Sequence, residues 1–599
     1  MSASLDPRNL DFLLHEVLGV AALAERQRYR GQTRDDYDAV VASAKSIADR
    51  ELAPHFTAGD AREPWLEDGE VRHVPGTQEA WNAIAEAGFL RAHCDEDEGG
   101  LQLPEPVLRA ASAHFHAANG PTHWYAFLTI GVINLLRAFG DDEQRRLFLP
   151  ALMTGRCAGT MALTEPGQGS ALADIRTRAE PAPDGTWRLF GTKMFISGGE
   201  HALAGNIAHM VLAKARGAPP GVKGISLFLV PKRLVDADGN PGPRNDVALG
   251  GLLHKLGNRN ITSTVLGFGE RDGAVGTLVG GLGEGLRCMF QMMNEARIGV
   301  GLNAAALACR GFEHALGYAR SRPQGRLPSS KDPASPQAML IEHADIRRML
   351  LQQKAYAEGA MALCLYASML AEDERTHPDT AARAAAGARL GLLTPVVKSW
   401  SSKYGVAAND LAIQVLGGAG YLRDHPLEQL LRDQRLNPIH EGAEGIHGLD
   451  LLGRKLVIDG GAAFAALLAE MRGAIAAARG EATIAVIAAR LEAALADLER
   501  ATRAIEALRR ADIDLALANA TVYLDAFGRV LVGWLWLRQA AVAAAALRRG
   551  ANGPEAAFHR GKVHAARYFA EWELAQNEHA CRLLAEVNAV PYDMRDSWF

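Results

Sequence analysis

A chain of 599 residues with 48 % hydrophobic and 22 % charged side chains is long enough for several cores, about four domains, and too apolar to be disordered. Its net charge of −5 argues against a generic nucleic-acid-coating role, which calls for a basic surface. The six cysteines are scattered without C-x-x-C spacing, so they read as buried apolar side chains in a reducing compartment and not as a disulfide or zinc framework; no metal site is expected.

From residue 8 to about 60 the chain reads as helix: Leu10, Phe12, Leu13, Leu14 and Val17 recur near helical spacing, and the pattern repeats from Tyr37 to Leu52. The opening Met1-Ser2-Ala3-Ser4-Leu5-Asp6-Pro7 has neither the basic stretch nor the apolar run of a signal peptide, which points to the cytoplasm. Residues 76–156 continue as helices, with a turn at Gly99-Gly100 and a helix start at Asp141-Asp142-Glu143-Gln144. Near Thr160 the texture changes. Residues 187–190, 208–213 and 225–231 read as strands between Asp-Gly, Gly-Gly and Pro-Pro turns, so a β-barrel or sandwich is expected between helical blocks. Helix returns at Gly285 and persists to about 456, until Gly460-Gly461 breaks the pattern. The remainder is alanine-rich. Ile484, Ile487, Leu491, Leu495 and Leu498 step by three and four as an amphipathic stripe, read as the core of a separate helical domain. No run of about 18 uninterrupted apolar residues occurs, so no membrane span is expected. The expected divisions are a leader (1–40), an N-terminal α domain (41–158), a middle β domain (159–272), a C-terminal α domain (273–458) and an extra helical domain (459–599).

The string Ile439-His440-Glu441-Gly442-Ala443-Glu444-Gly445-Ile446 follows Gln414-Val415-Leu416-Gly417-Gly418-Ala419-Gly420-Tyr421, with Gln414 standing 27 residues before Glu441. Leu163-Thr164-Glu165-Pro166-Gly167-Gln168-Gly169-Ser170 lies far upstream. Together these motifs resemble the acyl-CoA dehydrogenase family, over roughly residues 60–458. The resemblance implies an α+β fold: an N-terminal helical domain, a middle β-barrel domain and a C-terminal four-helix bundle, here with an additional C-terminal helical domain. It implies FAD as cofactor and an acyl-CoA thioester as substrate.

Glu441 is then the base that removes the α-proton, while flavin takes hydride from the β-carbon. A thioester α-proton is weakly acidic, so the developing enolate needs hydrogen bonds at its oxygen, and an apolar pocket raises the carboxylate toward neutrality. By resemblance Leu163 and Thr164 contact the isoalloxazine, and Gly169 and Ser170 reach the pyrophosphate or the thioester end of the substrate. Ala171 stands where the family usually has Asp. Phe195, where the family often has Trp, packs on the flavin, and Ser197 replaces a hydrogen-bonding Thr. Two apart on a strand, they point to one face. In Tyr318-Ala319-Arg320-Ser321-Arg322-Pro323-Gln324-Gly325-Arg326, Arg322 is the arginine given to the FAD pyrophosphate of a neighbouring subunit, with Gln324 assisting. Gly325 replaces an aromatic. Gln414, Gly417 and Gly418 grip the adenosine end, also across a subunit boundary.

Some family members carry the base just before an arginine in the segment Met293-Asn294-Glu295-Ala296-Arg297; here that slot is Ala296, which favours Glu441. Glu295, one residue away, is expected to point off that face. Asn294 and Arg297 match positions near the substrate, Arg259 is a candidate for orienting it, and Glu444 is expected at the pocket rim or in a structural role. Ala443 replaces a Thr common after Glu-Gly.

The leader, the last domain and strings such as Gly453-Arg454-Lys455 and His559-Arg560-Gly561-Lys562 resemble the long bacterial members of the family. These act on a short sulfur-containing acyl chain or on medium and long fatty acyl chains. Their extra domain covers the surface through which shorter relatives stack as tetramers, so a homodimer is expected, passing electrons to electron-transferring flavoprotein. An oxygen-using oxidase or monooxygenase on the same fold is the alternative enzyme. A nucleic-acid-associated flavoprotein is the alternative of another class, but the last domain has only Arg509-Arg510 and Arg548-Arg549 as basic runs, so no nucleic-acid partner is expected.

Overall fold

The computed structural model describes residues 5–599; Met1–Ser4, part of the opening read for a signal peptide, lie outside the described residues. Beyond Asp6, whose carboxylate caps Pro7–Asp11, short helical turns bury Leu13, Val20 and Tyr29. The Tyr29 hydroxyl donates to Glu372 at 2.6 Å and so fastens the leader to the C-terminal half. Asp11, His15 and Asp38 gather within 4.8 Å of one another, and Arg34 bonds both carboxylates (2.6 and 3.3 Å), so their charge is already matched. Thr33 and Asp36 form a capping box on helix Arg34–Ile47. The boundary expected at residue 40 therefore falls inside a continuous helix; the cap, not the hydrophobic pattern, sets where it starts.

Helix Glu105–Phe139 kinks at Asn119 (φ −160°, ψ 79°), just ahead of Pro121, whose ring excludes the regular turn. Asn119 compensates: its amide donates to the Leu52 carbonyl at 3.1 Å, and its carbonyl accepts from the Thr122 N–H at 3.2 Å. The kink redirects His123, Trp124 and Phe127, which matter below. Asp141 caps helix Asp142–Met153 with Gln144 in a reciprocal box, as the sequence suggests.

The middle domain is an eight-stranded sheet. Its strands are β1 (Cys157–Ala162), β2 (Arg178–Pro181), β3 (Trp187–Ser197), β4 (Asn206–Ala215), β5 (Ile225–Pro231), β6 (Val247–Leu252), β7 (Ser263–Phe268) and β8 (Ala274–Val279). The order is β6-β7-β3-β8-β5-β4-β1, and β2 pairs with both β3 and β4, closing β3, β8, β5, β4 and β2 into a ring around Leu189, Val211, Phe228 and Phe268. The sheet overruns the expected 159–272 at both ends. β8 escapes the sequence pattern because Gly276 weakens its strand signal; a Cβ there would meet Leu189 and Val230 at 2.9 Å, so the close packing needs glycine.

Helices Gly285–Ser321, Ala344–Thr376, Thr380–Leu416 and Leu427–Gln434 form the C-terminal bundle. Asp459, Gly460 and Gly461, all at positive φ, end it. The alanine-rich remainder folds as helices, and Ile484, Ile487, Leu491, Leu495 and Leu498 are all buried. It is not separate in packing, however. One apolar core runs from Leu13 and Tyr29 through Leu363 and Trp400 to Leu491, Phe527 and Trp536. Glycines let the helices approach: a Cβ on Gly359 would lie 2.8 Å from Val532, and one on Gly528 would lie 2.5 Å from Trp400. Buried Lys562 ties the three parts together, reaching Asn9 of the leader, Glu358 of the bundle (2.8 Å) and Gln539 (3.1 Å).

Two segments, Ile458–Ala478 and Ala520–Arg548, are long and apolar enough to cross a membrane by mean hydropathy, a criterion broader than the uninterrupted run used on the sequence. The most apolar window of the second is 72 % buried inside the protein, as a core helix would be, and that of the first 28 %.

Candidate active site

Glu441 lies on the turn between helices Leu427–Gln434 and Glu444–Asp450, at φ +53°, and Gly442 follows at φ +99°. A positive φ is uncommon for a residue with a side chain, and such strain concentrates where a function over-determines it. The turn is pinned from below. Lys398, wholly buried on helix Thr380–Leu416, donates to the Gly442 carbonyl at 2.7 Å. Arg297, also buried, pairs with Asp450 at 3.1 Å. Burial raises the pKa of the Glu441 carboxyl above its ordinary value, opposed by the charges of Lys398 and Arg297. Burial lowers Lys398 to about 7, opposed by Glu441 and Glu444. His440 and His447 are held neutral by burial, both near 3.

Gly442 is required twice over: by its φ, and because a Cβ would approach the His447 ring to 2.9 Å. Gly442→Ala is expected to destabilise the protein by about 1–3 kcal/mol and, by displacing Glu441, to lower turnover more than it lowers the melting midpoint. Thermal unfolding and initial rates on the same preparation check this.

A cleft lies one aromatic side chain, Trp124, away from the segment that carries Glu441. It is walled by the kinked helix Glu105–Phe139 and by helix Gly285–Ser321, with Met161 of β1 at one edge. Trp124 connects the two, its ring edge-on to His440 (5.7 Å) and to Phe127 of the cleft (5.1 Å). Ala296 lines the cleft, so the alternative base position faces it without a carboxylate. Glu295 corrects the sequence reading: it lines the same cleft, its carboxylate accepting from Asn134 (2.7 Å) and Gln291 (3.0 Å), and burial raises its pKa. Asn294 is half-buried on the same helix.

The segments expected to meet a flavin are adjacent. The Thr164 carbonyl accepts from the Met194 N–H at 2.9 Å. Buried Lys193 donates to the Leu163 carbonyl and to Glu165, both at 2.9 Å, and Glu165 also accepts from the N–H groups of Arg176 and Thr177. Register slips between β3 and β7 around Met194 and Phe195, and Phe195 takes φ +61° with 61 % of its surface exposed. This bulge breaks the alternation on which the shared face of Phe195 and Ser197 was inferred; it turns the phenyl ring outward instead. Ser170 is exposed, and a Cβ on Gly169, Gly417 or Gly418 would meet nothing within 4 Å.

Arg322, Gln324 and Gln414 are exposed. They flank one apolar cluster, in which Tyr318 and Ala319 pack with Val415, Leu416 and Ala419, so helix Gly285–Ser321 and the Gly417–Tyr421 turn reach the same edge of the chain. Two expected substrate residues do not line this cleft. Arg259 donates to the carbonyls of Lys255 (3.0 Å) and Asp60 (3.3 Å), bracing a loop. Glu444 faces Lys403, Thr521 and Asp525 in a small cleft against the last domain. Lys398 and the Lys193–Glu165 pair were missed from sequence. Their signal was present: a lone lysine amid Thr394-Pro395-Val396-Val397, and another at a strand position that alternates into the core.

Family models described as acyl-CoA dehydrogenase N-terminal, middle and C-terminal domains match residues 34–156, 160–269 and 283–456, and one described as acetyl-CoA dehydrogenase C-terminal like matches 467–595. The chain is 36 % identical, over 95 % of both chains, to 3-methylmercaptopropionyl-CoA dehydrogenase of Ruegeria pomeroyi. Among solved structures, Caenorhabditis elegans ACDH-11 in complex with C11-CoA matches with a TM-score of 0.77 at 20 % identity, covering 99 % of this chain and 95 % of that one. An acyl-CoA dehydrogenase of Bacillus anthracis complexed with FAD matches with a TM-score of 0.74 at 19 % identity, covering 95 % and 90 %.

Proposed function

Since the chain belongs to the acyl-CoA dehydrogenase family, we propose that it catalyses FAD-dependent α,β-dehydrogenation of an acyl-CoA to the trans-2-enoyl-CoA, with Glu441 as the base. The observation that carries this reading is the placement of Glu441: at strained φ and with its carboxyl raised by burial, on a segment that Trp124 joins to a cleft in which the alternative base position is Ala296. The residues present fit FAD. Gly169, Gly417 and Gly418 face open space that a backbone-hugging dinucleotide fills, and Phe195 offers an exposed ring where the isoalloxazine packs. Leu163, Thr164, Ser170 and Ser197 complete the flavin end. Arg322, Gln324, Gln414, Gly417 and Gly418 serve the diphosphate and adenosine of a second copy in a homodimer, which accounts for their exposure on one chain. When bound, FAD supplies the acceptor for the β-hydrogen.

Glu441 accepts the α-proton, and its own N–H donates to the thioester carbonyl, where charge gathers. Lys398 holds the turn through Gly442, and Arg297, tied to Asp450, keeps positive charge near the developing enolate. The base works ionised, so proton removal accelerates as pH rises through its pKa, which lies above the ordinary 4.5. Electron-transferring flavoprotein in the cytoplasm is the proposed acceptor, and 3-methylmercaptopropionyl-CoA or a fatty acyl-CoA the proposed substrate. Anaerobic titration of the purified yellow protein with an acyl-CoA panel tests the reading: bleaching by at least one thioester is expected. A colourless protein, or one that no thioester bleaches, defeats it. Reoxidation by air faster than by the flavoprotein moves the assignment to an oxidase.

A further inference from the structure

A proton taken by Glu441 comes from the carbon next to the thioester, so the rest of the acyl chain extends away from the base turn. The cleft between helices Glu105–Phe139 and Gly285–Ser321 offers a tail mainly apolar walls, Leu108, Phe115, Phe127, Leu128, Met161 and Met292 among them. Glu441 is not part of those walls. Trp124 bridges the two. Its indole is edge-on to His440, the residue before the base (5.7 Å), to Phe127 of the cleft (5.1 Å) and to His116 (5.2 Å). The small cleft at Glu444 instead holds Lys403 and Asp525, charges that a hydrocarbon tail would strip of water.

Trp124 is held in this position from two directions. Its ring is 7 % exposed, and edge-on aromatic contacts stabilise beyond the area they bury. Its backbone is fixed by the kink. Asn119 donates to the Leu52 carbonyl and accepts from the Thr122 N–H. The Thr122 hydroxyl lies 2.9 Å from His55 Nε2 and accepts from the Asn260 amide at 2.9 Å. An acyl chain long enough to reach the cleft must displace an indole packed on three rings, on a turn bonded to two distant segments. A chain that ends short of the indole displaces nothing.

We propose, on the dehydrogenase reading above, that Trp124 is a specificity-determining residue: it shuts the cleft to the tail of the substrate, so the enzyme prefers short-chain acyl-CoA thioesters such as propanoyl- and butanoyl-CoA to medium-chain ones. Trp124 sets where the chain must end and takes no part in proton or hydride transfer. Each methylene moved from water to an apolar wall is worth about fourfold in affinity. Removing the indole returns that gain to longer chains, in the room the ring filled and in the cleft beyond it.

The test uses the flavin-loaded enzyme and anaerobic bleaching kinetics with propanoyl-, butanoyl-, hexanoyl- and octanoyl-CoA. In the wild type kcat/KM is expected to fall by roughly tenfold or more from butanoyl to octanoyl. In Trp124→Ala the octanoyl-to-butanoyl ratio is expected to rise by roughly thirty- to two hundredfold, for up to four methylenes at about fourfold each. Trp124→Leu, which leaves less room, is expected to move the ratio the same way by less. The ratio is read within each variant, so a partial loss of folding cancels, and a side chain that only held the fold together would lower both substrates alike. Octanoyl-CoA bleaching the wild type as well as butanoyl-CoA overturns this proposal and leaves the dehydrogenase standing, as does a ratio unchanged in whichever variant folds. Should neither variant fold, the wild-type chain-length profile decides. If no thioester bleaches, the dehydrogenase reading itself falls and this proposal with it.

Discussion

Glu441→Gln is expected to bind FAD, stay yellow and fail to bleach with any acyl-CoA, its rate of flavin reduction falling by at least about a thousandfold, within the range a positioned general base contributes. The amide keeps the shape of the side chain and the backbone N–H proposed to meet the thioester, so on this reading it removes proton transfer and little else. Stopped-flow reduction under anaerobic conditions, with the flavin spectrum as control, measures this. Normal bleaching would sink the assignment and move attention to Glu295, the other carboxyl with a raised pKa on the cleft wall. The corresponding Glu295→Gln is expected to reduce flavin with its α-proton chemistry intact, because Glu295 is anchored by Asn134 and Gln291, one position from the slot facing the cleft at Ala296.

The second large effect is on stability. Lys193→Met leaves Glu165, 5 % exposed, without its cation and frees the Leu163 carbonyl; breaking such a buried pair is expected to cost about 3–5 kcal/mol. Because this pair clamps the 163–177 loop to β3, loss of flavin is expected to accompany the lowered melting midpoint. Burial pushes the Glu165 pKa up, but Lys193, Thr177 and the Arg176 N–H outweigh it and hold it below the ordinary 4.5. The carboxylate is therefore worth most above that value, and its contribution is lost as pH falls through the lowered pKa. Melting midpoints from pH 3 to 7 should converge for wild type and variant at the acid end. A pH-independent gap would refute the clamp.

Much of the architecture was legible in the residues. Strand 225–231 and the helix start at Gly285 stand where periodicity and turn residues put them, and Asp141 caps its helix as its spacing with Gln144 suggests. Each of these signals is local, carried within one element. β8 was not legible, because the neighbours that demand Gly276 come from β3 and β5. The unity of the core was not legible either: the glycine-to-tryptophan contacts Gly359–Trp536 and Gly528–Trp400 join segments more than a hundred residues apart.

The site divides the same way. The sequence by itself determined that Glu441 is the candidate base and that Ala296 is not, since this needs only which residue type can hold a proton and where the motifs fall. By resemblance it also put forward the glycines and Phe195 as a dinucleotide-binding set. Only the tertiary structure decided that Glu295 lines the same cleft as Ala296, that Arg259 braces a loop and Glu444 lines a different cleft, that a bulge turns Phe195 outward, and that Lys398 supports the base from below. The reason is physical. A side chain's chemistry belongs to its own atoms, but its burial, its partners and its pKa come from groups that the fold brings to it from distant parts of the chain.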